Sequence, residues 1–345
     1  MVQQIRSGDE IGPYRVVNEL GAGGAAVVYS VQQGEGEEQW ALKILRNSSL
    51  SDDNVQRRFE REVSIMQKLK HENIVQIKDG GTHENSLYYV MELADSGTLK
   101  DVLGHALPWR DAVDVALQLA EALTVLHEND VVHRDLKPGN IYLSSSGHVK
   151  LGDFGLARDL NADPLTMEGM TVGTVLYMAP EQLRGQEITP ATDLYALGCL
   201  LFEMLTAIPP FAGASVTDVC QHHLFTDPPD PRNNVSDCPE ALAHLIQKLM
   251  AKDASDRPES MRYVATVLKD IRSGDHAQTE ESSDSQTPQG QESIGADKSG
   301  TDTNPNLVER LRAAPEPRAV SSRAVLTLVV VVALGLIVLG IMSNR

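Results

Sequence analysis

A bilobal α+β fold is predicted, with a small antiparallel β lobe carrying one helix ahead of a larger, mainly α lobe. Three observations predict it. Short β-type runs fill the stretch from Ile11 to Val90, amphipathic helical stripes dominate from Trp109 onward, and Glu92-Leu93-Ala94-Asp95-Ser96-Gly97 breaks the pattern between them. That break reads as a hinge, and a hinge between two lobes frames a cleft, the usual place for a ligand.

Taken in order, Tyr14 to Leu20 is a strand leading into Gly21-Ala22-Gly23-Gly24-Ala25-Ala26, and Val27 to Val31 is its return. Glycines remove the Cβ barrier, so this hairpin backbone can approach an anion closely, although a glycine run alone is equally a flexible turn. Trp40 to Leu45 is a further strand with one lysine, Lys43, in an apolar run. That lysine is either an edge charge that snorkels or a ligand for phosphate. From Asp53 to Leu69, Val55, Phe59, Val63, Met66 and Leu69 share one helical face. Glu62 adjoins that face, and on the helix alone it reads as a solvated charge. Ile74 to Ile77 and Leu87 to Met91 complete the small sheet.

After the hinge, Trp109 to Asn129 carries a long apolar stripe, and Thr192 to Thr206 is apolar nearly all round, as a core helix is. Pro239 to Ala251 and Pro258 to Ile271 are two more helices. Residues 14–272 thus form the globular unit. Residues 273–323 are rich in Ser, Thr, Gln, Asp and Glu and poor in large apolar residues, which predicts a flexible acidic tether. Ala324 to Met342 is uncharged and almost wholly apolar; at 1.5 Å per residue it reaches about 28 Å, close to a bilayer's hydrocarbon thickness. A transmembrane helix is expected there. Arg312, Arg318 and Arg323 precede it against Arg345 after it, which puts the globular unit on the cytoplasmic side. With only Ser343-Asn344-Arg345 beyond, the expectation is a tail anchor.

The chain has 345 residues, 41% of them hydrophobic, and a formal net charge of −18. That balance argues against nucleic acid as a partner, which normally needs a basic face. Cys199, Cys220 and Cys238 lie far apart in no metal-ligand spacing and read as buried thiols of a reducing compartment.

The chemistry concentrates in Val132-His133-Arg134-Asp135-Leu136-Lys137-Pro138-Gly139-Asn140. An acid, a base and an amide lie within six residues, and Pro138 and Gly139 force a non-helical path. Such a loop can hold a hydroxyl nucleophile with Asp135 and a metal ion with Asn140. Two short strands, Ile141 to Leu143 and His148 to Leu151, then lead to Asp153-Phe154-Gly155, a second carboxylate.

With the Gly-rich loop, Ala41-Leu42-Lys43, the helix glutamate, His133-Arg134-Asp135, Asp153-Phe154-Gly155 and Ala179-Pro180-Glu181 in this order and spacing, residues 14–272 resemble a eukaryotic-like serine/threonine protein kinase of the kind common in bacteria. The resemblance implies roles. The backbone of Gly21, Ala22, Gly23, Gly24, Ala25 and Ala26 would cover the phosphates of ATP. Lys43 would meet the α- and β-phosphates and be held by Glu62. Asn140 and Asp153 would hold Mg²⁺, and Asp135 would act as the base. Val28, Ala41 and Leu143 would sandwich the adenine, or simply pack the core. Met91 would be the gatekeeper, with Glu92 and Ala94 on the adenine-facing hinge. Lys137 and Gly173-Thr174 point to serine and threonine acceptors on proteins. Asp193 would anchor the catalytic loop, and Arg257 would pair with Glu181.

The resemblance also implies regulation. Arg134 would bind an activation-loop phosphate, with autophosphorylation expected at Thr171 and then Thr166. Homodimerisation through the back of the small lobe is typical of such kinases. One departure stands out: the family's third loop glycine is Ala26 here, and a loop stiffened by alanine would bind ATP somewhat less well. The leading expectation is a membrane-tethered, ATP- and Mg²⁺-dependent Ser/Thr kinase. The other is a nucleotide-binding pseudokinase scaffold, which the full set of Lys43, Glu62, Asp135, Asn140 and Asp153 opposes.

Overall fold

The structure, a computed structural model, describes residues 5–23, 26–34, 36, 38–45, 53–84, 86–154, 172–274 and 305–313. Its amino-terminal layer is an antiparallel six-stranded sheet of β1 (Glu10–Ile11), β2 (Tyr14–Ala22), β3 (Ala26–Gln33), β4 (Gln39–Leu45), β5 (Ile77–His83) and β6 (Ser86–Glu92), in the order β1-β2-β3-β4-β6-β5. The helix α1 (Asp53–Lys68) packs on it through Phe59, Val63 and Met66, all buried.

One strand differs from expectation. The sequence pattern starts this strand at Ile74, yet the strand runs from Ile77 to His83. Ile74 and Val75 instead reach across to the other lobe: Val75 N donates to Leu151 O at 2.9 Å, and Leu151 N donates to Asn73 O at 2.8 Å. The strand proper contains Asp79-Gly80-Gly81, which no β pattern marks. A Cβ at Gly80 would meet Val63 of α1 at 3.0 Å, so the glycine is what lets the helix lie close.

The second lobe is helical: α2 (Trp109–Glu128), α3 (Val172–Val175), α4 (Pro180–Leu183), α5 (Pro190–Thr206), α6 (Val216–Phe225), α7 (Glu240–Leu249) and α8 (Met261–Ser273). Helix α5 is its axis, buried on nearly every face, and starts at Pro190, whose missing N–H costs nothing at a first turn. Helix α6 was not expected; Ser215 and Asp218 form a capping box at its start. Helix α8 begins on the Ser260 hydroxyl and ends on Gly274 in the left-handed region (φ 83°), which glycine adopts freely. The hairpin of β7 (Ile141–Leu143) and β8 (Val149–Leu151) lies where the sequence placed it. The three cysteines are buried and unbridged.

The tether expectation fails at one place. Residues 305–313 include a helix, α9 (Leu307–Arg312), that packs on the α lobe, with Leu307, Val308 and Leu311 buried. Composition averaged over 273–323 hides these three apolar residues, which share one helical face. Among the described residues no helix is long and apolar enough to cross a membrane. Residues 324–342 lie outside the described residues.

Candidate active site

The loop from His133 to Asn140 is fixed from below by one carboxylate. Asp193, on the first turn of α5, is fully buried and accepts three hydrogen bonds: from His133 N at 2.8 Å, from Arg134 N at 2.9 Å and from His127 Nε2 at 2.8 Å. Arg134 takes φ 66°, strained for a residue with a Cβ, and is held there by the Asp193 contact and by Gln182 Nε2 donating to its carbonyl at 2.9 Å. His133 is itself buried, meets the Gly152 carbonyl through Nε2 at 2.9 Å, and stacks edge-on with Phe154.

On this base stands the reactive face. Lys137 Nζ donates to Asp135 Oδ2 at 2.7 Å. Asn140 Nδ2 donates to the same oxygen at 3.0 Å and to the Asp135 carbonyl at 2.7 Å. Both contacts fix the Asp135 carboxylate in place, and they leave Asn140 Oδ1 as an acceptor beside it. The catalytic-loop expectations for Asp135, Lys137 and Asn140 therefore meet in one cluster.

Asp153 lies across from it at φ 54°. Its carboxylate accepts Lys43 Nζ at 2.6 Å, Tyr89 Oη at 2.9 Å and Tyr142 Oη at 3.2 Å. Burial alone would raise this carboxyl, but the Lys43 charge and the three hydrogen bonds outweigh it and hold the group below its ordinary value. Burial first, then the same carboxylate, raises both phenols, so both donate as neutral hydroxyls. Tyr89 and Tyr142 were not singled out from the sequence. Their signal was a tyrosine facing inward next to each motif, on β6 and β7, but aromatic residues in strands read first as core.

The expected Lys43–Glu62 pair is not made. Lys43 is spent on Asp153, while Glu62 lines a cavity of about 220 Å³ with Arg58, Arg61, Arg134 and Phe154. Burial raises the Glu62 carboxyl, against the pull of Arg134, Arg58 and Arg61. Lys43 thus has its counter-charge in Asp153, while the Glu62 carboxyl, with burial outweighing the three arginines, is held toward its neutral form. Arg58 and Arg61 join Arg134 at this cavity, a basic grouping that helix periodicity did not reveal.

The residues expected to face the nucleotide lie on β3, β4, β6, the hinge and β7. Ala41, Met91 and Leu143 belong to one apolar cluster, with Val28 packed against it. Val28 is paired with Lys43, and Ala41 with Met91. Glu92 N donates to Gln76 O at 2.9 Å, the Glu92 carboxylate takes Lys150 at 2.9 Å, and Leu143 N donates to Gly97 O at 2.9 Å. Ala94 follows, half-buried. Of the Gly-rich loop, Gly21 and Ala22 end β2, and Gly23 N donates to Ala26 O at 2.8 Å, closing the turn. Ala26 is extended and paired with Leu45 in β3, with no positive φ, so the feared strain at this alanine is absent. Gly24 and Ala25 lie outside the described residues, as do Thr166 and Thr171.

Farther back, Arg257 forms a buried double contact with Glu181, Nη1 to Oε1 at 2.7 Å and Nη2 to Oε2 at 2.8 Å, and Thr192 adds a third bond at 2.9 Å. This ties α4 to the base of α5.

Comparison with known proteins agrees with this geometry. The protein kinase domain pattern matches residues 14–268. The chain is 39% identical over 272 residues to a probable serine/threonine-protein kinase PknB of Lactococcus lactis, covering 76% of this chain and 43% of that protein. It is 35% identical over 260 residues to the serine/threonine-protein kinase PrkC of Bacillus subtilis, covering 75% and 40%. The chain spans about two fifths of the length of these curated relatives. Among solved structures, the kinase domain of Mycobacterium tuberculosis PknI superposes with a TM-score of 0.63 at 26% identity, covering 78% of this chain and 99% of that one.

Proposed function

The chain belongs to the protein kinase family, and on that premise we propose that it transfers the γ-phosphoryl group of ATP to serine and threonine hydroxyls of proteins. The observation that carries this reading is the Asp135–Lys137–Asn140 cluster on its Asp193 anchor, facing the Lys43–Asp153 pair. Asp135, acceptor-only when ionised, takes the hydroxyl proton as the nucleophile forms its bond. Lys137, already at that carboxylate, neutralises charge on the group in transit. Lys43 is placed to exchange its Asp153 contact for phosphate oxygens.

Asn140 Oδ1 and the Asp153 oxygens are hard oxygen donors in the small number that Mg²⁺ takes from protein when phosphates complete its shell. Mg²⁺ held by these oxygens would supply neutralisation of the phosphate charge. Residues 21–26, Val28, Ala41, Met91, Glu92, Ala94 and Leu143 form the remainder of the nucleotide site in this reading.

Two finer readings belong with it. Autophosphorylation at Thr171 and Thr166 is supported by Arg134, Arg58 and Arg61 lining one cavity beside Glu62, a basic grouping whose chemistry suits a phosphate. Membrane tethering rests on the apolar run 324–342, and resistance of the chain to extraction from membranes at high pH checks it. Transfer itself is tested by incubating the protein with Mg-ATP and a generic acceptor, then identifying the phosphorylated residue types. Wild type is expected to label serine and threonine, and Asp135→Asn to lose at least about a hundredfold in rate. Equal, negligible transfer by both would favour the scaffold reading instead.

A further inference from the structure

Residues 305–313 stand out within a polar stretch, because Leu307, Val308 and Leu311 are buried at 7%, 3% and 0% exposure. A six-residue helix does not hold itself in water; nucleation is too costly, so its contacts must maintain it. Its start is capped reciprocally, with Glu309 N donating to Asn306 Oδ1 and Asn306 N donating to Glu309 Oε2, each at 3.0 Å.

Three separate parts of the catalytic domain meet this helix. Arg310 reaches the first turns of α2, with Nε on Asp111 Oδ1 at 2.8 Å and Nη2 on Asp114 Oδ2 at 2.9 Å. Asn306 Nδ2 donates to Ser145 O at 3.3 Å in the β7–β8 turn, and Asn306 Cβ occupies the space a side chain at Gly147 would need. Arg312 donates to the Ser96 carbonyl, one residue past Asp95. Asp95 in turn accepts from Ser145 N at 2.9 Å. The helix therefore closes a ring from the hinge exit, through the β7–β8 turn, to α2.

The geometry points to a cis-docked brace: residues 305–313 are the occupant of this α-lobe surface, and their seating holds the hinge exit, 95–98, against the β7–β8 turn. The pairing is chemically matched, since an apolar face meets an apolar surface and Arg310 meets two carboxylates on a helix N-terminus. Because β7 carries Leu143, which bonds to Gly97, release of the brace loosens the hinge side of the cleft without touching Asp135 or Asp153. The brace thereby couples the carboxy-terminal stretch to the cleft, whatever reaction the cleft performs.

Hydrogen exchange on the full chain, without nucleotide, tests it. In wild type the amides of Arg310 and Ala313, bonded to Asn306 O and Glu309 O, are expected to exchange at least about tenfold slower than in an unstructured chain. Leu311→Asp is expected to abolish that protection and to speed exchange across 95–99 and 145–149 by about threefold or more, with peptides of α5 unchanged. Arg310→Ala is expected to act in the same direction and more weakly. Unprotected 308–313 amides in wild type would overturn docking. Unchanged exchange at 95–99 after release would overturn the brace.

Discussion

The two sides of the cleft are in different states of readiness. On the α-lobe side, the catalytic loop is fully assembled: Asp193 holds three donors, Arg257 clasps Glu181, and Asp135 is already fixed by Lys137 and Asn140. On the β-lobe side, Lys43 and Glu62 face different partners. The difference teaches that the carboxylate proposed as the base is preorganised by its bonds to Lys137 and Asn140, while the lysine proposed to meet phosphate is paired with Asp153 and would exchange that partner. Preorganised charge lowers reorganisation at the reaction step, and an exchangeable pair is where closure can be controlled.

Removing the anchor should break the rigid side outright. Asp193→Ala leaves two backbone amides and His127 without their shared acceptor in a fully buried place, which should cost about 3 kcal/mol or more in urea unfolding and abolish transfer. A loss below about 1 kcal/mol would mean the loop is held by something else. The β-lobe side should respond in the opposite way. Glu62→Gln removes a carboxyl whose pKa is raised by burial. A carboxyl with its native pKa above the unfolded one favours folding only at low pH, and that contribution disappears as pH rises through the native value. At neutral pH the variant should therefore melt no lower than wild type, yet lose about a hundredfold in transfer, because positioning of Lys43 in the closed state fails. A large loss of stability would instead place Glu62 in the resting framework.

The motif residues were legible because their spacing survives any local detail: Asp135, Lys137 and Asn140 share hydrogen bonds, Asp193 holds the His133 and Arg134 amides, and Arg257 pairs with Glu181. What the pattern could not carry were partner choices between elements. Lys43 has two acidic motif partners in the sequence, and the structure pairs it with Asp153 while Glu62 lies in the arginine-lined cavity. Tyr89 and Tyr142 look like strand core until their hydroxyls are seen on Asp153. Likewise β5 hides behind Gly80 and Gly81, and α9 hides in a polar average where three apolar residues suffice for docking.

The assembled side has a pH signature of its own. His223 is buried between Tyr195 and Phe211, and burial first, then the nearby Lys252 charge, lowers it from 6.5 to about 3. Tyr195 Oη lies 2.9 Å from its Nδ1. Between these two values the unfolded chain binds the extra proton, so this group makes stability fall with falling pH by up to about 1.4 kcal/mol per unit. Above about 6.5 it contributes no slope. His223→Gln should flatten the acid limb of a stability-versus-pH curve by up to that amount, whatever its effect at pH 7. An unchanged limb would show that other groups carry the acid sensitivity of the α lobe.

The smallest effect belongs to the Gly-rich loop, where resemblance and structure disagree. An alanine forced into a glycine conformation would be relieved by Ala26→Gly, and the apparent KM for ATP would fall. Ala26 instead sits in β3 with ordinary strand geometry, paired with Leu45 and buried in the main apolar core that runs through both lobes. Glycine there gains nothing for the loop, loses a packed methyl, and adds freedom to the unfolded chain. The expected outcome is an unchanged KM for ATP with a loss of about 0.5–1 kcal/mol in thermal or urea unfolding. A lower KM at equal stability would mean that the loop rearranges on nucleotide binding and that this alanine resists it, adding a second exchangeable element to the β-lobe side beside the Lys43 pair.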